Sequence, residues 1–255
     1  MARRCYFGTE TPIVSPTLAT AGWTGTGSAV RRTLEFEQRS DHVQEILAVA
    51  GATAGARTDY LVAQYTSQPL DVNQTITGTI TGQVMAAMGV NASGKGVAQV
   101  FVWVMKADGT SRGTLLAFNA TDASEFTTTR TNRQFPRGGA LALSSVAALA
   151  GDRIVVEIGW SKFENATTSR SVALLLGNPS GTDLPQDQTD TTQTKVPWIE
   201  FSQNLTFTTA VARVSQEVAE VVRGGTPSAI VSQVVVEVIK KRTFDPKRTQ
   251  TVIVG

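Results

Sequence analysis

One cysteine, one histidine and a charged share of only 17% are the scarcities of this 255-residue chain. Cys5 alone can close no intrachain disulfide and build no thiolate metal cluster. His42 would have to serve any Ser-His-Asp triad, and no Gly-x-Ser-x-Gly elbow accompanies it. A single imidazole also falls short of the two or more that histidine metal sites use. No Walker loop or Rossmann fingerprint occurs. Gly22-Trp23-Thr24-Gly25-Thr26-Gly27 has the glycines but neither the lysine nor a following helix pattern. No run approaches eighteen apolar residues, and Met1-Ala2-Arg3-Arg4-Cys5-Tyr6 leads into no apolar signal core, so neither a membrane span nor a secretory leader is expected. With a net charge of +2, nucleic acid is not an expected partner either. Arg3-Arg4, Arg31-Arg32 and Lys240-Lys241-Arg242 read as solvated surface.

Chemistry that needs only carboxylates or aromatics survives this census. Asp122 and Glu125, in Thr121-Asp122-Ala123-Ser124-Glu125-Phe126, are the pair a glycosidase would use, set against an ordinary turn with a solvated glutamate. Asp183, Asp187 and Asp190 put three oxygen donors into one loop, but their spacing matches no EF-hand, and solvated loop carboxylates are the plainer reading. Of the four tryptophans, Trp103 and Trp160 lie in strongly apolar runs and are expected in the core. Trp23, in its Gly/Thr-rich loop, is the candidate exposed platform for stacking on a glycan. No catalytic residue, metal ligand or cofactor is assigned, and the chain is expected not to be an enzyme.

What the chain has in quantity is strand pattern. Pro12 to Pro16 suggests an edge strand and Ala29 to Phe36 a second strand. Val43, Ile46, Leu47 and Ala50 fall at helical spacing behind Ser40, for under three turns, leaving a short helix or an irregular loop. Thr75 to Val84 alternates Ile76, Gly78, Ile80, Gly82 and Val84 on one face, its glycines implying a large neighbour or a bend. Val97 to Met105 is apolar on both faces, as a central strand is. It ends at Asp108-Gly109, a hairpin signal whose two central residues take positive φ, with Leu115 to Phe118 returning. Residues 119–137 and 178–195 read as loops, and Leu141 to Ala150 as a short helix. Arg153 to Trp160 points Ile154, Val156, Ile158 and Trp160 inward and Arg153, Val155 and Glu157 outward. Ser171 to Leu176 and Val196 to Phe207 complete the strands. This density of short strands without βαβ alternation predicts an all-β fold, an antiparallel sandwich of jelly-roll type, with a closed barrel as the alternative.

The body is expected to span 1–209 and a β appendix 210–255. The appendix carries a repeat. Val214-Ser215-Gln216-Glu217-Val218-Ala219-Glu220-Val221-Val222 is echoed by Val231-Ser232-Gln233-Val234-Val235-Val236-Glu237-Val238-Ile239. Two such β-branched strands joined by Arg223-Gly224-Gly225-Thr226-Pro227 would be marginal as a lone hairpin and hazardous at their open edges. Pairing with a neighbouring subunit answers both problems, which makes Val214, Gln216, Val218, Val221, Val231, Gln233, Val235 and Val238 the candidate assembly residues. Pairing of these strands with their own body is the competing reading.

Two further stretches carry a resemblance. Arg112-Gly113-Thr114-Leu115-Leu116-Ala117-Phe118 followed by Gly151-Asp152-Arg153-Ile154-Val155-Val156-Glu157-Ile158-Gly159 is similar to a module of tailed-bacteriophage structural proteins. Tyr60 to Leu70 and Trp198-Ile199-Glu200-Phe201-Ser202 fit the same pattern, and the Val-Ser-Gln repeat looks like tails appended to such proteins. The resemblance implies a non-enzymatic virion component of tail, neck, fibre or capsid, made in the host bacterial cytoplasm, with other virion proteins and further copies of itself as partners. The rival classes are a carbohydrate-recognition module for a host surface glycan and a capsid-decorating protein.

Overall fold

In the computed structural model the described residues are 2–14, 16, 22–25, 29–38, 45–52, 58–88, 96–118, 126–135, 139–162, 170–177, 181–187 and 189–208. The chain divides between Thr208 and Thr209 into two units, and all of these residues belong to the first. The candidate assembly residues from Val214 to Val238, together with His42, Asp122 and Glu125, lie outside the described residues.

Every described regular element is a strand. In chain order they are β1 Arg3–Phe7, β2 Val30–Glu35, β3 Glu45–Ala52, β4 Thr58–Ser67, β5 Gln74–Ile76, β6 Thr79–Met88, β7 Gly96–Met105, β8 Ser111–Leu116, β9 Thr131–Phe135, β10 Leu141–Ala142, β11 Val146–Ala148, β12 Arg153–Lys162, β13 Arg170–Leu176 and β14 Trp198–Phe201. One sheet runs β3-β13-β6-β14-β1-β2-β4-β12-β7-β8. Strand β6 has two pairs of partners. Ile80 opposes both Phe201 of β14 and Leu141 of β10, and Met85 opposes both Leu175 of β13 and Asn132 of β9. Among the named strands β2 and β4 pair in parallel and the rest antiparallel. Leu143 N donates to Gly78 O and Ser144 N to Leu115 O, both at 2.8 Å, so one segment ties the turn before β6 to β8 and makes the sheet nearly barrel-like. The expected all-β class therefore holds.

The core follows from the alternation. Ile80 and Val84 of β6, Val100, Val102 and Val104 of β7, and Ile154, Val156, Ile158 and Trp160 of β12 share one buried cluster with Phe7, Tyr65, Phe135 and Phe201. Burying each such side chain stabilises the fold by about 1.5–3 kcal/mol. The two glycines of β6's run take the two roles open to them. Gly78 bends the chain at φ +88° and separates β5 from β6, whereas Gly82 lies under Phe135, whose Cζ would sit 2.6 Å from an added Cβ.

Several sequence expectations are corrected. Residues 141–150 are not a helix but β10, β11 and a turn, because Leu141 and Val146 find partners in Ile80 and Ile76. The helix-or-loop at 40–50 is strand β3 from Glu45 on, paired along Leu176–Arg170, and this partner outweighs a spacing that lasts under three turns. Residues 12–14 form no strand, with a bend at 13–14; Ile13 is 70% exposed. The β7–β8 return begins at Ser111, and Gly109 is not a turn centre. Gly109 N donates to Lys106 O and Lys106 N to Thr110 O, which puts Ala107 and Asp108 at the centre and Gly109, at φ +86°, in the following bulge position. Finally, Val155 and Glu157 do not face solvent; both are fully buried.

Candidate functional site

The reversal at Glu157 exposes the main polar feature of the body. Period two places Val155, Glu157, Gly159 and Ser161 on one face of β12. The ladder flanks Glu157 with Gln64 of β4 and Phe101 of β7, and sets Trp103 one step along the diagonal. Gln64 Nε2 donates to Glu157 Oε1 at 2.9 Å and Trp103 Nε1 donates to the same oxygen at 3.1 Å. Trp23 Nε1 donates to Oε2 at 2.9 Å.

Trp23 comes from outside the sheet and is held by backbone. Thr24 N and Gly25 N donate to Asp59 O at 2.7 and 3.2 Å, and Leu61 N donates to Gly25 O at 2.9 Å, so the segment runs along the start of β4. Its indole can lie this close because residue 159 is glycine. A Cβ there would overlap the Tyr60 carbonyl oxygen and stand 2.5 Å from Trp23 Cζ3. Phe118 meets the Trp23 ring edge-on at 4.7 Å, and with Val14 these rings cover Phe101, Trp103, Met105 and Val155. Trp23 is thus half-buried and turned inward, its N–H spent on a carboxylate.

Burial pushes the Glu157 carboxyl above the usual range, and the bonds from Gln64, Trp23 and Trp103 pull it part of the way back. A carboxyl held protonated more readily than normal is the environment of a general acid. Its three partners are an amide and two indoles, which donate without titrating, so what they supply is orientation. Farther along the same face Gln99 Nε2 donates to Ser161 Oγ at 3.2 Å, and Ser161 Oγ donates to Asp59. No residue motif announced Glu157. The available signal was that β7 is apolar on both faces, so a neighbour of β7 had to be covered on both faces too.

The three loop aspartates are not brought together; among the described residues no group of three or more potential ligands converges. Asp183 accepts from Arg4 Nη1 at 2.5 Å and from Gln38 Nε2, and Arg4, stacked 4.0 Å over the Trp198 ring, also binds Glu200 at 2.8 Å. Asp187 accepts from the Thr189 N–H at 3.1 Å and from Asn132 Nδ2 at 3.2 Å, bonds that hold its carboxyl below the usual range. Lys195 and the Thr192 N–H do the same for Asp190. Asn132, fully buried, ties this loop to the sheet through Pro185 O at 2.7 Å and the Asp190 N–H at 2.9 Å. Cys5 is buried, which pushes its thiol far up and away from thiolate chemistry.

No family model matches the chain, and no curated protein does. Among solved structures it is similar to an aminopeptidase from the marine sediment archaeon Thaumarchaeota archaeon, at 12% identity and a TM-score of 0.34 over 66% of this chain and 34% of that one. An α-amino acid ester hydrolase gives 10% identity and a TM-score of 0.37 over 79% of this chain and 36% of that one. An infectious bursal disease virus structure, Gx strain, gives 11% and 0.22 over 78% and 48%. The chain spans about a third of each hydrolase. The expectation that the chain is not an enzyme is corrected here, since the first two structures it resembles are hydrolases. At these scores the likeness carries neither their activities nor a viral role over to this chain.

Proposed function

We propose that the chain is a structural component of a tailed-phage virion, a jelly-roll-like β body that presents the segment 210–255 for strand pairing with neighbouring subunits. The observation that supports this most directly is how the body ends. Thr208 N and Oγ1 both donate to Pro69 O, at 2.8 and 3.1 Å, and Phe207 stacks on Phe36 with centroids 3.9 Å apart. The Val-Ser-Gln repeat therefore follows a point at which the chain is bonded to the body. A tethered pair of β-branched strands gains from a partner in another subunit, because repetition around a symmetry axis covers every open edge. Other virion proteins and further copies of the chain are the partners, and the virion is the location.

The test is solution mass by light scattering. The full chain should form an oligomer larger than a chain ending at Thr208, and the pair Val218→Lys and Val235→Lys should shrink the full-length assembly in the same way. Equal masses for all three would defeat the proposal.

A further inference from the structure

A fully buried carboxylate ordinarily faces a cation, because neutral hydrogen bonds return only part of the hydration it has lost. Glu157 is fully buried and does not. Among the described residues no lysine or arginine reaches its carboxyl, and the groups that act on it are the neutral donors of Gln64, Trp23 and Trp103. Arg153, four residues along the same face, gives Nη1 to Ser67 O instead. The two carboxyl oxygens are also used unequally. Oε1 accepts from Gln64 and Trp103, both carried by the sheet, whereas Oε2 accepts only from Trp23. A carboxylate oxygen takes about two donors, so Oε2 has capacity to spare.

Trp23 shows what fits beside that oxygen. It is a flat apolar ring with one N–H at its rim. The N–H meets Oε2, and the ring lies with Phe118 and Val14 over Phe101, Trp103, Met105 and Val155. The covering side chains are half-buried and the floor beneath them is closed. The bonds that hold the segment run through Thr24 and Gly25, so the indole can turn about its own side-chain torsions while they stay made. Turning out gives up the bond to Oε2, the edge-on contact with Phe118 and the packing of the ring.

We propose that the place of the Trp23 indole over Glu157 is a binding site for a small aromatic cation of the amidinium or guanidinium class, which displaces the indole. The charged N–H groups take Oε2, and the ring takes the indole's seat on the floor. Such a ligand supplies the cation that the carboxylate lacks, and charge-assisted bonds are about twice as strong as neutral ones. A neutral ring of the same shape offers nothing that Trp23 does not already give, so the site selects by charge. This inference is independent of assembly through the segment 210–255.

Calorimetric titration of the full chain with benzamidine tests it, at constant ionic strength and about pH 8, where a carboxyl is ionised. Benzamide serves as the neutral ligand of the same shape. Benzamidine should bind saturably and about tenfold more tightly than benzamide. The Trp23 indole N–H resonance should move as binding takes its acceptor away. Glu157→Gln should lose the preference for the cation. Trp23→Ala should bind benzamidine more tightly than the parent, since no indole competes. A parent chain that shows no saturable binding overturns the proposal, as does binding that benzamide matches or that a folded Glu157→Gln retains. If either variant fails to fold by circular dichroism, the benzamide comparison and the indole resonance, both read on the parent, decide.

Discussion

Glu157 concentrates the consequences of burial in one side chain. Replacing it by alanine leaves the N–H groups of Gln64, Trp103 and Trp23 without their acceptor. A buried donor without a partner costs about 1–3 kcal/mol, so Glu157→Ala should lower urea-unfolding stability by several kcal/mol. The carboxyl's pKa is raised in the fold by burial, so the folded chain holds the proton more tightly than the unfolded chain does. Its contribution to stability is therefore complete below the ordinary glutamate range of about 4.3 and is lost as pH rises through the folded value. Glu157→Gln removes that titration. Its stability should decline less than the parent's between pH 4 and neutrality, measured as urea midpoints at constant ionic strength. The amide nitrogen that replaces one oxygen cannot accept from an indole, so Trp23 fluorescence should shift in the same variant. An unchanged pH profile would mean that Glu157 is already ionised in the fold without penalty.

At the scale of elements, β12 and its neighbours show what short-range pattern carries and what it does not. Strands β7 and β12 were legible because β-branched runs declare themselves, and β13 because it is a short apolar run. The inward set Ile154, Val156, Ile158 and Trp160 was legible because one face alternates cleanly. The outward set failed for a reason of distance in sequence. Val155 and Glu157 are covered by Trp23 and Phe118, residues that no local period connects to β12. Residues 141–150 failed similarly, since a short apolar run follows whichever partner the sheet supplies. Gly159 is where these long-range contacts converge, and Gly159→Ala should cost about 1–3 kcal/mol as an overpacked site that must move Tyr60 or evict Trp23. Gly109→Ala meets no atom, but its φ of +86° is disfavoured for an L-residue, and about 1 kcal/mol is expected. Thermal or urea unfolding of the two variants separates steric from conformational cost. Only Gly159→Ala should also change Trp23 fluorescence.

For the whole molecule the question is where the body stops. The sequence boundary at 209 came from a change in texture, strand-dense core giving way to the Val-Ser-Gln repeat. The repeat itself says what 210–255 wants but not which residues the body needs. The last contacts of the first unit supply that. Leu205 is 1% exposed within the main core, Leu70 and Phe207 form an isolated bridge, and Thr208 is bonded to Pro69. Residues 204–208 thus close the end of the body onto the segment leading into β5, which is itself paired with β11. Two truncations separate a body from its appendix. A chain ending at Thr208 keeps all of these contacts and should retain the parent's cooperative urea transition, shifted little, because every described residue of the core clusters precedes that point. A chain ending at Gln203 loses Leu205, whose burial stabilises by about 1.5–3 kcal/mol, together with the Phe36–Phe207 stack. It should unfold at clearly lower urea. If the two truncations were equally stable, residues 204–208 would belong with the appendix. If ending at Thr208 abolished folding, the strands beyond it would be part of the body's own sheet, and the case for their pairing between subunits would go with that result.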